Sequence, residues 1–128
     1  MAVSQILTFG WQRGTESISK QVTISSEGAK DVSVTIAAGA TNTQVALAFV
    51  KTRLKSIIIS SDETLTLKTN SSGSPDDTIT ITADTPYVWH ATMGITNPFA
   101  GDVTTTYWSN AGASAAALEI HLVEDATP

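Results

Sequence analysis

The sequence predicts an all-β protein: a single antiparallel β-sandwich of about eight to ten strands over residues 1–128, in the jelly-roll arrangement. Three observations predict it. Apolar residues alternate with Ser, Thr or charged residues along most of the chain, as in Leu65–Thr69 (LTLKT) and Thr78–Thr82 (TITIT). No stretch carries a convincing helical period. Breaks rich in Gly, Asn, Asp, Ser and Pro recur at strand-length intervals.

Taken in order, the alternation predicts strands at Val3–Gln12, Ser17–Ser25, Asp31–Ala37, Thr43–Val50, Leu54–Ser60, Thr64–Asn70, Thr78–Ala83, Tyr87–Met93, Val103–Ser109 and Ala116–Glu124. The alanines of Gly112–Leu118 favour a helix, but Leu118, Ile120 and Leu122 alternate with Glu119, His121 and Val123, so that segment is read as strand. Two hairpins are expected. Val32, Val34 and Ile36 should pair with Val45, Leu47 and Phe49 around the turn Ala37–Asn42, and Leu65 and Leu67 with Ile79 and Ile81 across Asn70–Asp77. The continuous β-branched run Ile57–Ile59 suits a strand covered on both faces. Met1–Arg13 reads either as an ordinary first strand or as an extended N-terminal arm.

A chain of 128 residues can bury one core unaided, and with no cysteine it has no disulfide and no thiolate chemistry. The N-terminal segment lacks the basic and apolar regions of a signal peptide, and no window has the length of a membrane span, so no membrane partner is expected. Only 15% of residues are charged and the net charge is -5, which argues against a nucleic-acid partner. All seven Lys and Arg lie at or before Lys68, whereas Asp76, Asp77, Asp84, Asp102, Glu119, Glu124 and Asp125 follow it. Such asymmetry suits contact between copies or with a basic partner. Serine (14) and threonine (20) are abundant, yet 41% of the chain is hydrophobic and regularly spaced, which favours a packed domain over disorder. The threonine rows at Thr64–Thr66 and Thr78–Thr82 read as the solvated face of a sheet, since no fixed repeat supports an ice-binding array.

Nothing in the sequence assembles a catalytic group, and the protein is expected to be a non-enzyme without cofactor or metal. GxSxG is absent, and the two histidines, His90 and His121, sit singly in alternating runs. The acidic pairs Asp62–Glu63, Asp76–Asp77 and Glu124–Asp125 lack a calcium-loop pattern and read as turn residues.

What remains are candidate partner contacts. Lys51, Arg53 and Lys55, at alternate positions, would form one basic stripe on a strand. Among the aromatics, Phe9 and Trp11 lie in the first segment, Phe99 in the loop Met93–Asp102, which is read as carrying it outward, and Tyr107 beside Trp108, which therefore point to opposite faces. Trp and Tyr are common at protein contacts and at carbohydrate-stacking platforms.

The segment Ser56–Trp89 together with Leu118–Asp125 (LEIHLVED) resembles the small, cysteine-free jelly-roll decoration, or cement, proteins on the capsids of tailed bacteriophages. The resemblance implies a structural protein of the virion, assembled in the host cytoplasm. Its partners would be the major capsid protein and further copies of itself, as a homodimer or homotrimer. The alternative reading is a carbohydrate- or receptor-binding module that uses Trp89, Tyr107 or Trp108 as its platform.

Overall fold

The computed structural model describes residues 3–26 and 28–125, and Met1 and Ala2 of the expected arm lie outside them. Ten strands follow one another: β1 (Val3–Arg13), β2 (Glu16–Ser26), β3 (Gly28–Ile36), β4 (Thr43–Val45), β5 (Leu54–Ser61), β6 (Leu65–Thr69), β7 (Thr78–Ile81), β8 (Tyr87–His90), β9 (Thr106–Ser109) and β10 (Ala116–Glu124). The all-β prediction holds, and β10 keeps its predicted bounds. Among the described residues the helical structure is a single 3₁₀ turn at Lys51–Arg53.

Eight of the strands make the sandwich, one four-stranded sheet in the order β3-β10-β5-β8 and the other in the order β4-β9-β6-β7. All pairings are antiparallel. Alternation sends one set of side chains from each sheet into a shared core. Ile36, Ile57, Ile59, Trp89, Leu118, Ile120 and Leu122 come from the first sheet, and Val45, Leu65, Leu67, Ile81 and Trp108 from the second. Burying each large aliphatic side chain is worth about 1.5–3 kcal/mol. The threonines behave as the sequence suggests: Thr66 pairs with Thr80 on the outer face of the second sheet.

One expected hairpin forms in its predicted register, with Leu65 opposite Ile81 and Leu67 opposite Ile79. Its loop is closed by Asn70 at φ 68°, whose Nδ2 donates to Asp76 Oδ2 (2.6 Å) and to the Asp102 carbonyl (2.8 Å), while its Oδ1 accepts the Thr104 N–H (2.7 Å). Asp77 does similar work, accepting from the Ala100 N–H at 3.1 Å. The other expected hairpin does not form. β3 pairs with β10 and β4 with β9, so the apolar faces of Val32–Ile36 and Val45–Phe49 meet across the core instead of along a ladder. Identical alternation serves either relationship, because facing sheets and neighbouring strands both point one side chain in two inward. The turn at Ala37–Ala40, with Gly39 at φ 71°, carries the chain from one sheet to the other.

Tyr87 ends the hydrophobic layer on β8. Burial, and then the negative charge of Asp77, raise its phenol above the ordinary value of 10.0. The raised value means that the fold favours the neutral phenol; this contribution is intact below the ordinary value and is lost as pH rises through the folded one. Tyr87→Phe should therefore lose less stability than the wild type on alkaline titration. Urea midpoints measured from neutral pH to above about pH 10 will show whether the two curves separate.

Candidate docking site on the hairpin and the outer sheet face

β1 and β2 stand apart from the sandwich as a two-stranded hairpin, paired in unbroken register from Val3–Ser26 to Arg13–Glu16. The first segment is thus a strand, but one paired with its own neighbour and not within either sandwich sheet. Its turn is Gly14–Thr15. Gly14 has φ 61°, and Thr15 is not among the positive-φ residues, the pattern of a two-residue type II′ turn with glycine first.

One face of the hairpin carries Gln5, Leu7, Phe9, Trp11 and Arg13 from β1 and Glu16, Ile18, Lys20, Val22 and Ile24 from β2, as the register and alternation require. The near half of that face is closed. Leu7 and Ile24 are buried, Ser56 Oγ hydrogen-bonds Gln5 Oε1, and the Phe9 ring lies 6.2 Å from the ring of His90. A two-stranded ribbon is marginal in water by itself, so this packing is what holds it. The far half is open. Trp11 and Ile18, directly opposite one another, are 47% and 59% exposed, and the Arg13 guanidinium sits 5.6 Å from the centre of the Trp11 ring.

The surface under the hairpin is the outer face of the first sheet, which the registers resolve into transverse rows. His90, Ser56, Val123 and Ala29 form the row beneath the hairpin; Val88, Ile58, His121 and Asp31 form the next; Ser60, Glu119 and Ser33 the one beyond. In the middle row apolar side chains give way to charge. His121 Nδ1 is 2.7 Å from Asp31 Oδ1 and its Nε2 is 3.9 Å from Glu119 Oε2, leaving both carboxylates well exposed. Between hairpin and sheet runs a groove of about 430 Å³ lined by Ile6, Phe9, Ile58, Pro86, Val88 and Met93. His90 Nδ1 lies 3.1 Å from Thr92 Oγ1 and Ser56 is engaged by Gln5, so the cross-strand Ser56–His90 pair serves as the floor of the hairpin.

The predicted contact residues divide. Phe9 and Trp11 are exposed on the hairpin. Phe99 is not carried outward: Asn97 Oδ1 accepts its backbone N–H (2.9 Å) and turns the chain back, so the ring is 2% exposed and meets Phe49 edge-on at 5.0 Å. Ile95, at 62% exposure, is the apolar side chain this loop presents. Trp108 is fully buried, its Nε1 donating to Thr106 Oγ1 (2.8 Å), while Tyr107 faces outward and is half-buried. Trp89 also lies in the core and donates to the Ile95 carbonyl (2.8 Å).

Nor do Lys51, Arg53 and Lys55 form a stripe on one strand. Lys51 and Arg53 lie in the 3₁₀ turn, which rotates about 120° per residue. Lys55 falls at a β-bulge, where Val123 faces Ser56 and Glu124 faces Leu54. Basic and acidic segments also interleave here, Lys30 Nζ lying 3.0 Å from Glu124 Oε1 and the Lys51 N–H donating to Asp102 Oδ1 (2.9 Å). Ile18 was missing from the expected contacts because its alternation with Val22 and Ile24 matches a core-facing strand; the signal that separates it is the glycine-first turn that sets it opposite Trp11. Comparison of the chain with protein-family models, with curated proteins and with solved structures gave no match.

Proposed function

We propose that this chain is a non-enzymatic structural protein of a phage-like particle, which decorates the capsid surface by binding capsid subunits and its own copies. The observation that carries the reading is the hairpin, a projecting ribbon whose outer half offers Trp11 and Ile18 to a partner. Strand order supports it: the crossings between β3-β10-β5-β8 and β4-β9-β6-β7 are compatible with a jelly roll, an architecture common in capsid proteins. The major capsid protein is the proposed partner, with the assembled virion as the place of action after synthesis in the host cytoplasm.

Binding that selects the assembled shell stabilises it without chemistry. The gain per site is RT ln(1 + [L]/Kd), about 2.7 kcal/mol when free protein is at a hundred times Kd. Purified protein mixed with expanded shells of the particle encoded beside its gene should co-sediment with them, and Trp11→Ser should reduce the bound fraction several-fold. Failure of the wild-type protein to sediment with those shells would sink the proposal. The carbohydrate-binding alternative loses Trp89 and Trp108 to the core and retains Tyr107, and a glycan array run on the same preparation tests what is left of it.

A further inference from the structure

We infer that two copies of the chain associate by exchanging hairpin ends: the open half of each hairpin lies on the outer face of the other copy's first sheet, beside that copy's own hairpin. This deepens the self-association part of the proposed function and rests on that part alone.

Continuity is the first argument. The apolar face of the hairpin does not stop where its contact with its own sandwich stops. Leu7 and Ile24 are buried against the sheet, and the same face continues through Phe9 to the exposed pair Trp11–Ile18. From Phe9, the last side chain touching the sheet, to Arg13 the ribbon runs on by roughly 13 Å, at about 3.3 Å per residue. That overhang has an apolar face of the kind the near half uses to bind a sheet, with no sheet of its own molecule beneath it.

The second argument is that the surface able to receive it is present on the same molecule. Beside the docked hairpin, Ile6, Ile58, Pro86, Val88 and Met93 line an open groove, and Ile6 is 57% exposed. In a reciprocal arrangement each copy supplies one hairpin end and one groove. Every contact is then made twice, which is how a small patch reaches the area a stable pair requires.

Charge supplies the third argument. Arg13 and Lys20 flank the Trp11–Ile18 pair on the hairpin face, with Glu16 3.9 Å from the Arg13 guanidinium, so two cations stand there against one carboxylate. On the sheet, the apolar pair Val88–Ile58 is continued by His121 and Asp31 in its own row and by Glu119 in the next. An apolar centre with a net positive border thus meets an apolar centre with an acidic flank, and His121, the titratable group between the carboxylates, is the one further ionisable side chain in those rows. Complementarity of this kind fixes orientation and speeds encounter.

The absence of cysteine makes a direct test available. Trp11→Cys protein and Val88→Cys protein, carrying different tags, are mixed and oxidised, and the disulfide-linked species is identified by mass. The expected product joins the two tags. In parallel, sedimentation of the wild type over a wide dilution series should give a monomer–dimer equilibrium. Trp11→Ser with Ile18→Ser should raise its dissociation constant roughly 30-fold or more, as loss of a central aromatic contact does. Both side chains are exposed, so unchanged circular dichroism and melting will show that the variant is folded. Arg13→Glu should weaken the pair, and Glu119→Arg added to it should recover part of the loss.

A protein monomeric throughout the series overturns the inference. So does a dimer that the Trp11/Ile18 variant leaves intact, a species larger than a dimer, or oxidation that fails to join the two tags. The two readings fail separately: a monomer that still sediments with shells removes the exchange and keeps the decoration, and a dimer that ignores shells does the reverse.

Discussion

Trp108→Ala is expected to lower the unfolding free energy by about 3–5 kcal/mol, a large share of the roughly 5–15 kcal/mol that a domain of this kind has. Trp108 is fully buried in the second sheet, paired with Leu67 on one side and Thr43 on the other. Truncation removes its packing against the layer and leaves a cavity. It also strands a polar group: Thr106 Oγ1, itself buried, accepts the indole N–H and donates to the Val45 carbonyl (2.8 Å). Trp11→Ala deletes a side chain of the same size on the hairpin, where exposure puts the effect within about 0.5 kcal/mol of zero. Urea unfolding followed by circular dichroism compares the two directly. Equal losses would contradict the burial assigned to each.

The second large effect is expected at Asn110. It is fully buried just past the end of β9, and its side chain answers three backbone groups. Nδ2 donates to the Ile36 carbonyl (3.2 Å) and the Ser114 carbonyl (2.8 Å), and Oδ1 accepts the Gly112 N–H (3.0 Å). Its own N–H donates to the Ala40 carbonyl at 2.9 Å. One residue therefore ties together the end of β3, the crossing turn after it and the loop that leads into β10. Asn110→Ala removes a buried hydrogen bond to Ile36 and two part-buried ones to the Gly112–Ser114 loop, at a cost of about 1–3 kcal/mol, and hydrogen exchange should quicken in Ile36–Ala40 and Gly112–Ser114 before the rest of the sheet. Asn110→Asp keeps the acceptor alone and should fall between alanine and the wild type.

How much of this was legible in the sequence depends on whether a feature is local. Strand positions are, because a period of two appears within a few residues. The β6–β7 hairpin is too: Leu65, Leu67, Ile79 and Ile81 flank one loop and pair in the register their spacing suggests. Partner choice is not local. Val32–Ile36 and Val45–Phe49 alternate as hairpin strands would, yet each pairs with a strand more than fifty positions away. The fates of the aromatics are equally tertiary. Phe99 sits in a loop of polar appearance and is turned inward by Asn97, whereas Trp11 sits in a strand of core-like appearance and faces out because its ribbon overruns the sheet. Lys51, Arg53 and Lys55 have the spacing of a strand face, and a 3₁₀ turn followed by a bulge dismantles it.

The position of β10 within its sheet has a consequence for biosynthesis. It is the last of the ten strands to leave the ribosome, yet it lies between β3 and β5 and bonds to both. Until it arrives, β3 has no partner and one edge of β5 is bare, so the first sheet closes only after translation of the segment that ends at Glu124. The hairpin needs no such wait, since its strands are adjacent and a ribbon of that kind zips in about 1–10 μs, far faster than about 5–20 residues per second of synthesis. Its anchoring surface includes Val123, which is not in place until β10 completes the sheet. In the nascent chain the ribbon thus forms and reopens with no complete surface of its own to settle on, and only the finished protein presents both halves of a contact.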